Sequence, residues 1–220
     1  MSGKRTWSGV AIAVGLMILA WLLLPTFRLA PPSPALRGLG NQGHWILAED
    51  MAWRIGDTDL SITVPRGFVT DLASTPQFVW SLGLAPQGQY GRAAIVHDYL
   101  YWFQDCSREQ SDRLMLKAMQ ESSVDAAVIA RIHAAVAGFG ATAWTANATE
   151  RAGGAFRVLP VELARPEDPN QSWPQYRRSL AGKGIKDPPS TIDPRVCQLA
   201  DHIVVPNTPP ADPTNRMPGG

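Results

Sequence analysis

Residues 92–119 read RAAIVHDYLYWFQDCSREQSDRLMLKAM and contain the features that decide the fold of this 220-residue chain. The first half is apolar except for the adjacent His97 and Asp98, and the second half places Asp112 among Met and Leu residues at helical spacing. Ionisable groups on the buried face of a helix cost free energy unless they are paired or bind a metal. The stretch therefore predicts two consecutive helices that bury a His–Asp cluster, and this cluster is the candidate functional site.

Helical signals around this stretch predict a bundle of about three helices. The first is expected from about residue 90 to 104, and Ser107 with Gln110 forms a capping box for a second helix that ends near residue 122. A third, alanine-rich helix is expected over about 124–150 because it has an apolar stripe at helical spacing. This stripe consists of Ile129, Ile132, Val136 and Phe139.

Short alternating runs before the helices predict a small antiparallel sheet. The runs are His44 to Leu47, Met51 to Ile55 and Leu60 to Val64, with turn residues such as Gly56 and Asp57 between them. Pro76, preceded by Ser74 and Thr75, signals a further short helix to about Leu82. The predicted fold class is α+β, with an N-terminal transmembrane helix, the sheet, the helix bundle and a proline-rich C-terminal tail.

The N-terminus has a segment suited to a membrane. Residues 10–24 are continuously apolar and no charge occurs from Thr6 to Phe27, while about 20 such residues span a bilayer. A cleaved signal peptide is the alternative, but the prolines that follow favour an uncleaved anchor. Lys4 and Arg5 favour an N-terminus inside the cell. We therefore expect a single-pass protein of the inner (cytoplasmic) membrane with its domain in the periplasm.

Composition divides the chain into four segments. We expect a membrane anchor over residues 1–28, a linker rich in proline and glycine over 29–43, a globular domain over 44–155 and a proline-rich tail over 156–220. Twelve of the 19 prolines lie from Pro160 onward, so the tail is expected to be largely extended or disordered. The membrane is one expected partner and a protein bound by the tail is another. A net charge of +1 without a Lys/Arg cluster argues against nucleic acid.

The two cysteines leave the redox state open. Cys106 and Cys197 are too few for a disulfide scaffold or a cysteine zinc site. They either form one bridge in a domain outside the cytoplasm or remain unrelated thiols, since the sequence gives no distance between them.

Helix geometry organises the candidate site. His97 and Tyr101 lie one turn apart on the same helix face, and a short connection to the next helix brings Asp112 within reach of the imidazole. A carboxylate on one ring nitrogen makes the other nitrogen a better base. In this interpretation His97 is the base for hydrolysis of an ester or amide, and Asp112 orients it. Asp98, with Asp71 from an earlier loop, holds a divalent cation, calcium or zinc.

A structural interpretation stays open beside the catalytic one. A cluster of His97, Asp112 and Tyr101 also serves as a buried hydrogen-bond network that fixes helix register. Asp71 also suits a helix cap or a turn. The first interpretation gives a membrane-anchored hydrolase of lipid or envelope material, and the second gives a non-catalytic accessory protein of the envelope or of phage origin.

The order of three motifs resembles a family of uncharacterised bacterial and phage domains. The family motifs are V-P-x-G-F-x-T-D-x-A-S-x-P, H-D-x-x-Y and S-x-x-x-x-D. They correspond here to residues 64–76, to His97-Asp98 with Tyr101, and to Ser107 with Asp112. The resemblance covers about residues 45–140 and implies a domain of unknown function, to which the anchor and the tail are additions.

A weaker similarity is to the His–Asp site of secreted phospholipases A2. The matching residues are His97, Asp98, Tyr101 and Asp112, each in the corresponding role. The Cys- and Gly-rich calcium loop and the helix cysteines of those enzymes are missing from this sequence. The similarity is an analogy, and it implies a role for these four residues in hydrolysis.

Overall fold

The computed structural model describes residues 34–40, 43–72, 90–168 and 170–205. The chain divides into two units, residues 1–30 and 31–220, and all described residues belong to the second unit. The expected membrane anchor and the expected short helix after Pro76 lie outside the described residues.

Three helices follow one another at the positions that the sequence predicts. They are α1 (Gly91–Phe103), α2 (Arg108–Glu121) and α3 (Ala126–Ala152). The predicted capping box is confirmed, because the Ser107 hydroxyl accepts from the Gln110 backbone N–H and the Gln110 side chain accepts from the Ser107 N–H. This reciprocal pair satisfies two backbone donors and fixes where α2 begins.

Among the described residues, five short strands form two antiparallel sheets rather than the single sheet expected. They are β1 (Leu36–Leu39), β2 (His44–Leu47), β3 (Met51–Arg54), β4 (Ser61–Val64) and β5 (Val69–Thr70). One sheet has the order β1-β2-β5 and the other is the hairpin β3-β4. Strand β1 lies inside the segment expected to be a linker, residues 29–43. Its LRGL sequence has no alternation to reveal it, and pairing with β2 creates the strand.

The segment expected to be a largely extended or disordered tail contains regular structure within residues 156–168 and 170–205. It contains a 3₁₀ turn (Val161–Leu163) and the helices α4 (Trp173–Ser179) and α5 (Pro194–Ala200). A disulfide joins Cys106 to Cys197, which resolves the question that the sequence left open. The apolar residues of this segment follow no helical or strand period, and long-range packing holds them in the core. Residues 206–220 lie outside the described part of the chain.

The Asp187 carboxylate fastens this segment to the central helix. It accepts hydrogen bonds from Trp102 Nε1 at 2.6 Å, from the Arg157 backbone N–H at 2.8 Å and from the Val158 N–H at 2.7 Å. The Arg157 guanidinium also lies 5.1 Å from the Trp102 ring centre. A carboxylate with three donors is a strong anchor, and it gives an otherwise irregular segment a fixed position.

Helix α1 is the centre of the main hydrophobic core. Every residue of this helix except Arg92 is buried, and α2, α3 and the β3-β4 hairpin pack around it. Helix α3 is covered on one side only: Ile129 and Ile132 are buried, whereas Phe139 is 74% exposed. The predicted α3 stripe is therefore correct at its N-terminal end and wrong at Phe139. Because α1 is enclosed, polar side chains on it must find partners inside the protein.

Candidate functional site

His97 of α1 and Asp112 of α2 meet in the interior, as the helix faces predict. His97 Nε2 lies 2.9 Å from Asp112 Oδ1. The two residues are only 4% and 3% exposed. A carboxylate accepts and does not donate, so Nε2 carries a proton and donates to Asp112 in this arrangement.

Asp112 has two further donors. The Tyr101 hydroxyl donates to Asp112 Oδ1 at 2.6 Å, and Arg108 donates to Asp112 Oδ2 at 3.2 Å. Burial raises the pKa of Tyr101, and the hydrogen bond to Asp112 raises it further, so the phenol remains a donor at neutral pH. Tyr101 therefore contacts Asp112, the orienting residue. Arg108 is a site residue that was not predicted, although its position four residues before Asp112 is a visible signal for an ion pair.

Helix α3 closes the cluster from a third side. Arg108 also donates to the Ala137 carbonyl of α3 at 3.2 Å, and the Trp144 ring packs edge-on against the Tyr101 ring with 5.1 Å between centres. A Cβ atom at Gly140 would overlap the Tyr101 hydroxyl. Gly140 therefore makes room for the phenol, a requirement that no local sequence signal reveals.

The second ring nitrogen of His97, Nδ1, differs from Nε2 in its hydrogen bonding. No described residue forms a hydrogen bond with Nδ1, while Nε2 is held by Asp112. The neighbouring Tyr101 ring lies 4.0 Å away between centres and restrains the imidazole. An imidazole held in this orientation is suited to accept a proton at Nδ1 whenever that nitrogen is unprotonated.

Asp98 lies next to His97 in sequence but has a different environment. It is buried and accepts a hydrogen bond from the Thr70 hydroxyl at the end of β5. The same Thr70 oxygen accepts from the Leu72 backbone N–H at 2.9 Å, and Leu72 has a left-handed backbone with φ of 57°. The predicted constellation thus divides into a His97–Asp112 part and an Asp98 part on the β5 side of α1.

The assignment of Asp71 and Asp98 as metal ligands stays a prediction. Within the described ranges, no group of three or more His, Cys, Asp or Glu is suited to hold a metal ion. Tyr90, which the sequence did not single out, lies at the start of α1. It is 2% exposed, and its pKa is raised mainly by burial and further by Asp98 and Asp71. The Tyr90 hydroxyl has no hydrogen-bond partner among the described residues.

This fold and site define an α+β domain in which three helices enclose a buried His–Asp pair. Residues 45–136 match the model of the family described as "Protein of unknown function (DUF1353)". The resemblance drawn from the three motifs is therefore confirmed. Comparisons with curated proteins and with solved structures gave no match. The matched family has no assigned function, so only the geometry of the site bears on the chemistry.

One helix among the described residues, α3, is long and apolar enough to cross a membrane by length and composition alone. It does not coincide with the predicted anchor at residues 10–24. That anchor remains a prediction from the sequence.

Proposed function

We propose that this domain is a hydrolase in which His97 activates a water molecule to attack an ester or amide. The observation that carries the proposal is the different state of the two imidazole nitrogens. Nε2 lies 2.9 Å from the buried Asp112 carboxylate, whereas Nδ1 has no partner among the described residues. A carboxylate on one nitrogen fixes the tautomer and stabilises the imidazolium that forms when the other nitrogen takes a proton.

The reaction proceeds through a proton held at Nδ1. Water transfers a proton to His97 Nδ1 while its oxygen bonds to the carbonyl carbon, and the carbonyl π electrons move to the carbonyl oxygen. The tetrahedral intermediate then collapses, the C–O or C–N bond breaks, and the leaving group takes the proton from Nδ1. Such general acid–base catalysis contributes about 10²- to 10⁴-fold in rate.

Tyr101 and Arg108 act as positioning residues in this mechanism. Both donate to Asp112, at 2.6 and 3.2 Å, and neither has to touch the substrate. Their hydrogen bonds offset the cost of burying the Asp112 charge and restrict the carboxylate to one orientation. We expect their loss to disturb the tautomer and orientation of His97.

We place the domain on the periplasmic side of a membrane, with lipid or envelope esters and amides as the substrate class. The apolar residues 10–24 support a tether to the bilayer. The Cys106–Cys197 disulfide supports an oxidising compartment, because such bonds are rare where glutathione keeps thiols reduced. A tethered domain meets membrane-bound substrates at high local concentration.

A second candidate is a non-catalytic accessory protein in which the cluster is a brace. The observation that favours it is burial, since His97 and Asp112 are almost fully enclosed and the network connects α1, α2 and α3. Residues 156–205 do not support an accessory protein whose tail captures a partner. Val196 and Ala200 there are buried in the core, and Cys197 is bonded to Cys106.

The test compares His97→Gln with His202→Gln in the full oxidised chain in detergent. The probes are small chromogenic esters and amides, phospholipid vesicles and peptidoglycan fragments. We expect wild type and the control at exposed His202 to hydrolyse at least one probe, and His97→Gln to lose about 10²-fold or more in kcat with an unchanged Tm.

Two results would refute the hydrolase and favour the brace. One is the absence of hydrolysis of every probe by wild type. The other is a large fall in the Tm of His97→Gln without any specific effect on kcat. A ¹⁵N spectrum of the histidines is an independent check, since the mechanism requires His97 to be protonated at Nε2 and unprotonated at Nδ1 at neutral pH.

A further inference from the structure

Helix α3 is apolar on its outer face, which consists of the exposed residues between Ile132 and Thr149. This stretch of the helix contains no Lys, Arg, Asp or Glu. Its exposed residues are mostly alanine, glycine and threonine, and Phe139 among them is 74% exposed. Only 17% of the most apolar 18-residue window of α3 is buried inside the protein. A helix that is apolar all round is normally covered all round, so the outer face of α3 is suited to contact a further apolar surface.

The opposite side of α3 is fixed to the domain by polar contacts. Asn147 donates to the Tyr101 carbonyl at 3.1 Å, and the Ala137 carbonyl accepts from Arg108 at 3.2 Å. A helix held in this way cannot cross a bilayer without carrying these polar partners into the hydrocarbon, where unsatisfied groups are costly. The outer face of α3 is therefore suited to lie along an apolar surface rather than to span it.

The size of the outer face favours a lipid surface over a second copy of the chain. Eighteen helical residues are about 27 Å long, and a helix with its side chains is about 10–12 Å wide, so the face covers about 300 Å². A stable protein interface takes about 800 Å² from each partner. Arg131 is exposed and lies three residues before the exposed Ala134, on the same side of the helix. A cation at this end of the face suits an anionic lipid headgroup.

The length of chain before the described domain supports the same partner. Only residues 25–33 separate Leu24, at the end of the apolar N-terminal segment, from Pro34, where the described structure begins. Even when fully extended, a connection of this length reaches at most about 35 Å. With residues 10–24 in the bilayer, the domain stays close to the lipid, and a weak contact is enough because it forms within a tethered molecule.

We propose that the outer face of α3 lies against the lipid bilayer to which residues 10–24 tether the chain, with Phe139 inserted among the lipid chains. The proposal rests on the tether in the proposed function. It deepens that function by selecting lipid esters among the envelope substrates, because the other side of α3 closes the cluster around His97 and Asp112. A docked α3 thus holds the candidate site close to the lipid.

The test uses a fluorescent label on single cysteines in the full oxidised chain. Cys106 and Cys197 are bonded to each other, so an introduced cysteine is the only free thiol. Phe139→Cys and Ala134→Cys report on the outer face, and Val204→Cys, at an 80% exposed apolar residue outside α3, is the matched control. Each labelled protein is reconstituted into vesicles of phosphatidylcholine and phosphatidylglycerol. Brominated phosphatidylcholine quenches a label in the lipid, and iodide quenches a label in water.

We expect both labels on α3 to emit at shorter wavelength, to lose emission with brominated lipid and to resist iodide. The label at the control position should be quenched by iodide and not by brominated lipid. Equal quenching by iodide at all three positions would overturn the lipid contact. Protection of the α3 labels from both quenchers, with self-quenching that unlabelled protein relieves, would also overturn it and identify a second copy on α3.

Flotation and activity separate this proposal from the proposed function. A chain that does not float with the vesicles would refute the tether and the lipid contact together. Quenching by brominated lipid in a protein that hydrolyses none of the probes would refute the hydrolase and leave the lipid contact standing.

A charge on the outer face tests the link between lipid contact and hydrolysis. We expect Phe139→Asp to hydrolyse phospholipid vesicles more slowly than the control Val204→Asp, because a carboxylate opposes insertion into lipid. The two variants should hydrolyse small chromogenic esters at equal rates. An equal loss on both kinds of substrate would overturn this link.

Discussion

Asp112 is the residue on which the buried site depends most. Its two oxygens accept from His97, Tyr101 and Arg108, so three side chains satisfy one buried charge. A buried carboxylate is tolerated when such donors surround it. Removal of one donor lowers the free energy of unfolding by more than the net value of that hydrogen bond, because part of the buried charge is left without a partner. The side chains around Asp112 therefore set the geometry of His97, and small steric changes near them should be felt at the imidazole.

Gly140 permits this geometry by leaving space for the Tyr101 hydroxyl. We expect overpacking in Gly140→Ala to lower the free energy of unfolding by about 1–3 kcal/mol. The higher helix propensity of Ala offsets about 1 kcal/mol of this loss. Gly138→Ala is the matched control on α3, since a Cβ there meets no atom within 4 Å. This substitution should raise the free energy of unfolding by up to about 1 kcal/mol. Urea unfolding measures both, and equal stabilisation by the two variants would contradict the proposed packing.

His133 of α3 gives a second prediction, for acid stability. Burial lowers the pKa of His133, Asp112 opposes that shift and Arg113 adds to it. The folded protein therefore holds His133 neutral at a pH where the unfolded chain, with a pKa of about 6.5, is protonated. Because the unfolded state binds more protons, this residue lowers stability as the pH falls below about 6.5.

We expect His133→Gln to show a smaller loss of unfolding free energy than wild type between pH 7 and pH 5. His202→Gln, at an exposed position, should follow the wild-type curve. Urea unfolding at a series of pH values measures the difference. A curve for His133→Gln that is parallel to wild type would show that other groups cause the acid sensitivity.

At the scale of elements, polar contacts at helix ends decide how the helices dock. Asn147 of α3 donates to the Tyr101 carbonyl at 3.1 Å, and Arg151 donates to the Phe103 carbonyl at 2.5 Å. These are carbonyls in the last turn of α1, which lack partners within their own helix. Gln104 in turn donates to the Trp144 carbonyl at 2.7 Å. The C-terminal end of α1 is therefore capped by α3, which keeps the Tyr101 ring against Trp144.

Helix α2 is joined to the β3-β4 hairpin through Glu121. Its carboxylate accepts from Trp53 Nε1 and from the Gly56 backbone N–H, both at 2.8 Å. We expect Glu121→Ala to lower the free energy of unfolding by about 1–3 kcal/mol, since two donors lose their acceptor. Gln120→Ala, an exposed neighbour on α2, should change stability by less than about 0.5 kcal/mol. Thermal and urea unfolding measure both variants, and similar values would argue against this link.

At the scale of the whole molecule, the C-terminal segment closes the described domain over a long sequence distance. The disulfide links Cys106, in the connection between α1 and α2, to Cys197 of α5 across a separation of 91 residues. Asp187 and the buried Val196 add contacts of the same long range. A domain limited to residues 44–155, as the sequence suggests, would lack these contacts.

We therefore expect the double substitution Cys106→Ser and Cys197→Ser to lower the free energy of unfolding by about 2–4 kcal/mol, chiefly by freeing the unfolded chain. The same decrease should appear when wild type is reduced, and reduction should not affect the double variant. Truncation after Leu159 should lower the free energy of unfolding by more than the double cysteine substitution, since it also exposes the core beneath α4 and α5. A truncated protein with wild-type Tm would show that the C-terminal segment is dispensable.

The sequence by itself determined the local structure of this protein. Apolar periodicity, the capping box at Ser107 and β-type alternation were enough to locate α1, α2, α3 and strands β2, β3 and β4, because each signal lies within a few neighbouring residues. Helix faces also predicted that His97 and Asp112 meet. Three motifs in order indicated the family whose model residues 45–136 match.

Only the tertiary structure decided the features that depend on residues far apart in sequence. Strand β1, the packing of residues 156–205 and the Cys106–Cys197 bond arise from pairing across the chain and leave no local pattern. The separation of Asp98 from Asp112, and the space that Gly140 gives to Tyr101, likewise follow from how helices and strands are placed. Local signals fix elements, whereas the free energy of burying and pairing distant groups fixes the site.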